Sequence, residues 1–213
     1  MSFELVIFDN DGVLVDSEPI SCRIVSEMLN AWGYETTPER CFADFQGGTF
    51  ARLHAIIHDR TGRHLPEDFY ARYQEVLFER FPRELEPIAG VREALERIPL
   101  AKCVASSASM DKIVTALEVT QLRHHFGEHL FSAQQVGQGK PAPDIFLHAA
   151  ESMGVDPSRA CVIEDSGLGV QAANAAGMTC FAYAATTPRE DLEPARGELF
   201  TSMEELPGLL GVV

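Results

Sequence analysis

Apolar residues fall along this chain in two patterns. Short, continuously apolar runs such as Leu5-Val6-Ile7-Phe8 and Cys161-Val162-Ile163 predict strands buried on both faces. Longer stretches with apolar residues three and four apart predict helices. The predicted strands are Glu4–Asp9, Lys102–Ser106, His129–Ser132, Ala160–Glu164 and Met178–Ala184, with a weaker sixth near Glu198–Phe200. Helices Gly90–Arg97, Met110–Val119, Asp144–Met153 and Gly167–Ala176 lie between them. Such alternation predicts an α/β fold, a doubly wound parallel sheet covered on both faces.

One segment breaks the alternation. From Ser17 to Arg83 only helical patterns occur. Pro19–Trp32 carries Ile20, Ile24, Val25, Met28 and Leu29 at helical spacing, and Gly33 stops it. Thr37-Pro38-Glu39-Arg40 is a helix start with proline at the first position. Phe50–Arg60 and Glu67–Arg80 follow, and Pro82 and Pro87 bracket the return. Trp32 with Phe42 and Phe45 reads as core of this module. The predicted organisation is a core of residues 1–16 and 84–213, with an all-helical domain, 17–83, inserted after the first strand. Its two connections would lie side by side and serve as a hinge, as in lids that exclude water during chemistry.

Composition narrows the classes of function. The chain has 213 residues, 46% of them apolar, and a net charge of −15. That charge disfavours general affinity for nucleic acid or anionic membranes. It also means that a site for an anionic substrate needs a cation and a few placed basic groups. There are only three lysines, Lys102, Lys112 and Lys140, so one in a suggestive place carries weight. The five cysteines are scattered and odd in number, the pattern of a reducing, cytoplasmic compartment. The first strand begins near Phe3, leaving no room for a signal peptide, and no apolar run reaches 18 residues. A monomer is expected.

Four elements at strand ends carry candidate chemistry. Asp9-Asn10-Asp11-Gly12 places two carboxylates at the end of the first strand, where open parallel sheets bind ligands. Two acids there suit a hard divalent cation. Ser106-Ser107-Ala108-Ser109 ends a strand in hydroxyls before a helix start, with Ser109 as its N-cap. The N–H groups of Ser107 and Ala108 approach that helix terminus, which favours phosphate. Gly139-Lys140-Pro141-Ala142-Pro143 aims a lysine from a stiff loop. Val162-Ile163-Glu164-Asp165-Ser166-Gly167-Leu168-Gly169 ends another strand in two acids and a glycine-rich turn. If the two acidic clusters converge, they need a cation between them, or some of their carboxyls stay protonated.

This set resembles the four motifs of the haloacid dehalogenase-like hydrolase superfamily, and the resemblance spans essentially the whole chain. Asp9-x-Asp11-Gly12 matches the first motif, Ser106 the second, Lys140 the third, and Glu164-Asp165 with Gly169 the fourth. The strings Asp9–Glu18 and Lys140–Phe146 make the match specific. The insert resembles the helical cap of the subfamily holding beta-phosphoglucomutase and small sugar-phosphate phosphatases. The resemblance implies a Rossmann-like core, Asp9 as nucleophile and Asp11 as acid and then base. It implies Mg²⁺ held by Asp9, the carbonyl of Asp11 and Asp165, with Glu164 as ligand or just behind. Ser106, Ser107 and Lys140 would grip the phosphoryl oxygens, and the cap loop Gln46-Gly47-Gly48-Thr49 with Arg52 would face the leaving group. The implied partner is a small phosphorylated metabolite, most simply a sugar phosphate.

The departures also inform. Asp11 suits phosphate esters, since dehalogenase members lack that acid. The absence of lysine from Ser17–Arg83 disfavours phosphonate cleavage. Mutase relatives carry a cap histidine where Ser21 stands, and an arginine where the loop before Arg52 has phenylalanine. These differences favour phosphatase over phosphomutase. A non-catalytic phosphate-binding protein is a third reading, but every expected catalytic residue is present. Outside the motifs, His54 and His58 have zinc-binding spacing but no third ligand evident in the sequence.

Overall fold

The computed structural model of the chain describes residues 3–45 and 50–212. Six strands form one sheet: β1 (Leu5–Phe8), β2 (Ala101–Ser106), β3 (Leu130–Ser132), β4 (Ala160–Glu164), β5 (Thr179–Tyr183) and β6 (Leu199–Phe200). All pairings are parallel, in the order β3-β2-β1-β4-β5-β6. The central strand β1 is fully buried along its length, which is why its run is apolar without alternation. The chain moves outward from β1 through β2 to β3, then returns to the other side of β1 for β4 and moves outward again. The order therefore reverses between β1 and β4, and a crevice opens there at the carboxyl ends of the strands. Phe8 pairs with Val104 on one side and Ile163 on the other, so the loops leaving β1 and β4 begin level with each other.

The described residues also form ten helices: α1 (Glu18–Ala31), α2 (Pro38–Phe45), α3 (Phe50–Thr61), α4 (Phe69–Glu84), α5 (Val91–Arg97), α6 (Met110–Val119), α7 (Asp144–Ser152), α8 (Gly167–Ala175), and the short α9 (Arg189–Leu192) and α10 (Leu206–Leu209). The chain divides into two compact units, Met1–Asp16 with Glu86–Val213, and Ser17–Leu85. In the first, α7 and α8 press Ile145, Phe146, Ala149, Ala172 and Ala173 onto Leu5, Ile7, Cys103 and Val162 of the sheet. Where the chain leaves and re-enters this unit, Asp16 donates its N–H to the Glu86 carbonyl at 2.9 Å and Val15 bridges Pro87.

The helical unit buries Ile24 and Leu29 of α1, Leu53 and Ile57 of α3, and Tyr73, Leu77 and Phe81 of α4. Ion pairs Arg80–Glu27 and Arg23–Glu84 join α4 to α1. Two details depart from the sequence reading. First, α4 does not end at Arg80 but runs through Pro82 to Glu84. A proline costs that turn one N–H donor but has a helical φ, and burial of Phe81 and Leu85 holds the last turn in place. Second, Trp32 is half-buried rather than core, with the Arg63 guanidinium 3.7 Å above its ring.

All five cysteines are free and buried. Burial pushes the Cys22 thiol up to about 12 and those of Cys103, Cys161 and Cys180 further still. No described helix is long and apolar enough to cross a membrane.

Candidate active site

Three of the four sequence elements meet directly in the crevice between β1 and β4. Asp9 follows β1, and its N–H donates to the Ile163 carbonyl at 3.0 Å. Lys140 reaches in from the loop before α7. Its Nζ donates to Asp9 Oδ1 at 2.8 Å and to Glu164 Oε1 at 2.5 Å, and its side chain is only 5% exposed. The ammonium also lies over the Phe146 ring, 4.9 Å from its centroid.

Glu164 is fully buried, and both of its carboxylate oxygens are hydrogen-bonded. One carboxylate oxygen takes the lysine. The other accepts from the backbone N–H of Asp165 (2.9 Å), the N–H of Ser166 (2.8 Å) and the Ser166 hydroxyl (2.9 Å). A Cβ on Gly169 would stand 1.8 Å from this carboxylate. Glycine is therefore needed here to leave room for a buried charge, not to bend the backbone. Gly169→Ala is expected to expel the Glu164 carboxylate from these bonds and cost about 2–4 kcal/mol, read by urea denaturation. An unchanged midpoint would mean that the carboxylate can shift cheaply.

Asp165 comes from the same turn and lies against the β1 loop. Gly12 has φ +79°, and a Cβ there would fall 2.0 Å from Asp165 Oδ2. The turn is closed by Gly12 N–H donating to the Val15 carbonyl at 2.9 Å. Asp9, Glu164 and Asp165 each bring a carboxylate oxygen within 4.8 Å of the other two. This hard, all-oxygen donor set fits a divalent cation such as Mg²⁺. The charge balance fits as well, since three buried acids gather around one lysine that pairs with two of them, Asp9 and Glu164. Burial pushes Asp9 up to about 7, against the pull of Lys140 and helped by the Glu164 charge.

That shift has a consequence for metal-free protein. A folded-state value near 7 exceeds the ordinary 3.8, so the folded chain holds one more proton than the unfolded chain between those values. Its stabilising contribution is complete below about pH 4 and is lost as the pH rises through about 7. In chelator, the stability of the wild type relative to Asp9→Asn should therefore fall from pH 5 to pH 8. A flat difference in denaturation midpoints would contradict it.

Ser106, at the tip of β2, is buried, and its Oγ accepts from the Ala108 N–H at 3.2 Å. That N–H, expected to be offered to phosphate, is thus already engaged with Ser106. Ser107 is exposed. Ser109 caps α6 as anticipated, accepting from the Lys112 N–H at 3.4 Å. The Ser132 hydroxyl, at the tip of β3, donates to the Ala108 carbonyl at 2.6 Å and pins this turn.

The Asp11 charge helps to raise Asp9, and Asp11 Oδ1 meets Lys112 Nζ at 2.9 Å. The sequence reading missed Lys112. Its signal was position, because a lysine in the first turn of a helix opposes the macrodipole. In the helical unit, Arg52 is exposed on α3, while Gln46, Gly47, Gly48 and Thr49 lie outside the described residues. His64 joins His54 and His58, but its ring stacks on theirs at 5.3 and 4.3 Å, with interplanar angles of 21° and 16°. A metal lies in the plane of each imidazole that ligates it, about 2 Å from nitrogen, so rings stacked face to face cannot share one.

A family model for haloacid dehalogenase-like hydrolases matches residues 6–183. The chain belongs to that family. Among its haloacid dehalogenase-like relatives, a 6-phosphogluconate phosphatase of Escherichia coli (strain K12) is 30% identical over 97% of this chain and 94% of its own. A fructose-1-phosphate phosphatase of the same organism is 31% identical over 81% of this chain and 92% of its own. A haloacid dehalogenase-like protein of unknown function from Agrobacterium tumefaciens str. C58 superposes with a TM-score of 0.87 at 32% identity, over 99% of this chain and 98% of the other.

Proposed function

We propose that this haloacid dehalogenase-like hydrolase is a Mg²⁺-dependent phosphatase of a small sugar phosphate, acting through an aspartyl-phosphate. The observation that carries the reading is the convergence of Asp9, Lys140, Glu164 and Asp165 at the switch point, with Asp11 two residues from Asp9. The phosphatase relatives support the substrate class.

In this reading Asp9 attacks phosphorus, and the bond from phosphorus to the leaving oxygen breaks. Asp11 gives that oxygen its proton. Water then attacks the phosphorus of the aspartyl-phosphate and passes a proton to Asp11, and the bond to Asp9 breaks, releasing inorganic phosphate. Lys140 stands where it can neutralise a phosphoryl oxygen while keeping Asp9 aligned, and Ser106, at the tip of β2, would grip another. Asp9, Asp165 and the Asp11 carbonyl would hold the cation, with Glu164 behind them; when bound, it would supply the charge neutralisation on which phosphoryl transfer depends. Glu164, saturated by Lys140 and its own turn, is assigned the orienting role. Ser21, at the position of the mutase histidine, accepts from the Tyr73 hydroxyl at 3.0 Å, an internal bond of the helical unit that supports phosphatase over mutase.

The test is phosphate release from a panel of phosphorylated metabolites, with Mg²⁺ and with chelator. Mg²⁺-dependent release concentrated on sugar phosphates is expected. Isomerisation of beta-glucose 1-phosphate, primed with glucose 1,6-bisphosphate and without net release, would replace phosphatase with mutase.

A further inference from the structure

We propose that Lys112 is a positioning residue for Asp11, fixing its carboxylate for both proton transfers of the reaction; this rests on the assignment of Asp11 as acid and base. Lys112 is the third residue of α6, where the helix macrodipole disfavours a cation, in a chain with only three lysines. Its Nζ lies 2.9 Å from Asp11 Oδ1, and the two side chains are 19% and 20% exposed, so the pair is largely shielded from water.

Both ends of the pair stand on fixed backbone. On the lysine side, Ser109 holds the Lys112 N–H, and Ser132 holds the Ala108 carbonyl one residue before the cap. On the acid side, Gly12 N–H closes onto Val15 while Leu14 and Val15 both donate to the Asn10 carbonyl. What backbone cannot fix is the rotation of the Asp11 carboxylate. A charged partner arriving from another element selects one orientation, with Oδ1 held and Oδ2 directed elsewhere. The same oxygen must come within about 3 Å of the leaving oxygen in the first step and of the water in the second. A displacement of about 1 Å at such a group can cost about 10²-fold in rate. The proton itself travels only between Asp11 and those oxygens; Lys112 gives up none.

Lys112→Met, Lys112→Arg, Asp11→Asn and the double variant Asp11→Asn/Lys112→Met test this on the Mg²⁺-loaded enzyme and in chelator. Lys112→Met should lower kcat about 10–100-fold with KM within about 2-fold, and Lys112→Arg should restore most of the loss. In the Asp11→Asn background, assayed by single turnover with 4-nitrophenyl phosphate, Lys112→Met should add less than about 2-fold. In chelator, where no chemistry occurs, the melting temperature of the double variant should miss the sum of the singles by about 2 °C.

Full kcat in Lys112→Met, or an equal loss with and without Asp11, would overturn the proposal. A change confined to KM would instead make Lys112 a substrate contact and overturn it equally. Absence of phosphate release by the wild type would sink the phosphatase reading and this inference with it, while the cycle in chelator would still report the pair. The two failures are thus separable.

Discussion

Asp9→Asn is expected to lose turnover by at least about 10⁴-fold while keeping the fold, because an amide cannot attack phosphorus. Glu164 is locked by Lys140 and three donors of its own turn, and Asp11 is held by Lys112. Asparagine conserves shape and leaves an oxygen for the Lys140 ammonium. It also removes a carboxylate that burial resists ionising. The variant should therefore melt no lower than wild type in chelator at pH 8. Circular dichroism, melting and phosphate release decide the matter together. Residual hydrolysis above about one part in a thousand, in protein free of wild type, would reject Asp9 as nucleophile.

Lys140→Met should show the second large effect, on stability as much as on rate. The lysine is the cation shared by two buried acids, and its side chain is 5% exposed. Methionine fills a similar volume but leaves Asp9 and Glu164 facing each other. Breaking a buried pair in this way costs about 3–5 kcal/mol. At pH 8 in chelator the loss should be complete. At pH 5 it should shrink, because Asp9 already carries a proton there. Mg²⁺ should return part of it by binding only the folded chain. Turnover should fall by about 10²-fold or more with the loss of a preorganised positive charge. A variant as stable as wild type at pH 8 in chelator would show that Lys140 does not carry this charge balance.

The sheet was legible because its strands are buried on both faces. Leu5-Val6-Ile7-Phe8 and Ala160-Cys161-Val162-Ile163 announce themselves by unbroken apolarity, and the structure buries every residue of both. The acids were legible because nothing in a core calls for Asp9, Glu164 or Asp165. Lys112 was not, because its unfavourable place in the first turn of α6 says nothing of the partner that it meets. Only the placement of β2 beside β1 brings the start of α6 to Asp11. The role of Gly169 was equally hidden, since periodicity cannot say that a carboxylate five residues earlier folds back onto it. Pro82 misled because burial of its neighbours outweighed one lost donor, and Trp32 because an indole half-covered by a guanidinium has the same sequence signature as a core residue.

The buried cysteines give this chain an internal clock. Cys103, Cys161 and Cys180 lie in strands β2, β4 and β5 of the sheet, whereas Cys22 and Cys41 lie in the helical unit. None can meet a thiol reagent without opening the structure around it. Alkylation rates followed by peptide mass would time the opening of each unit separately in one tube. Two groups of rates would mean that the helices loosen while the sheet stays shut, and one common rate would mean that the chain opens as a whole.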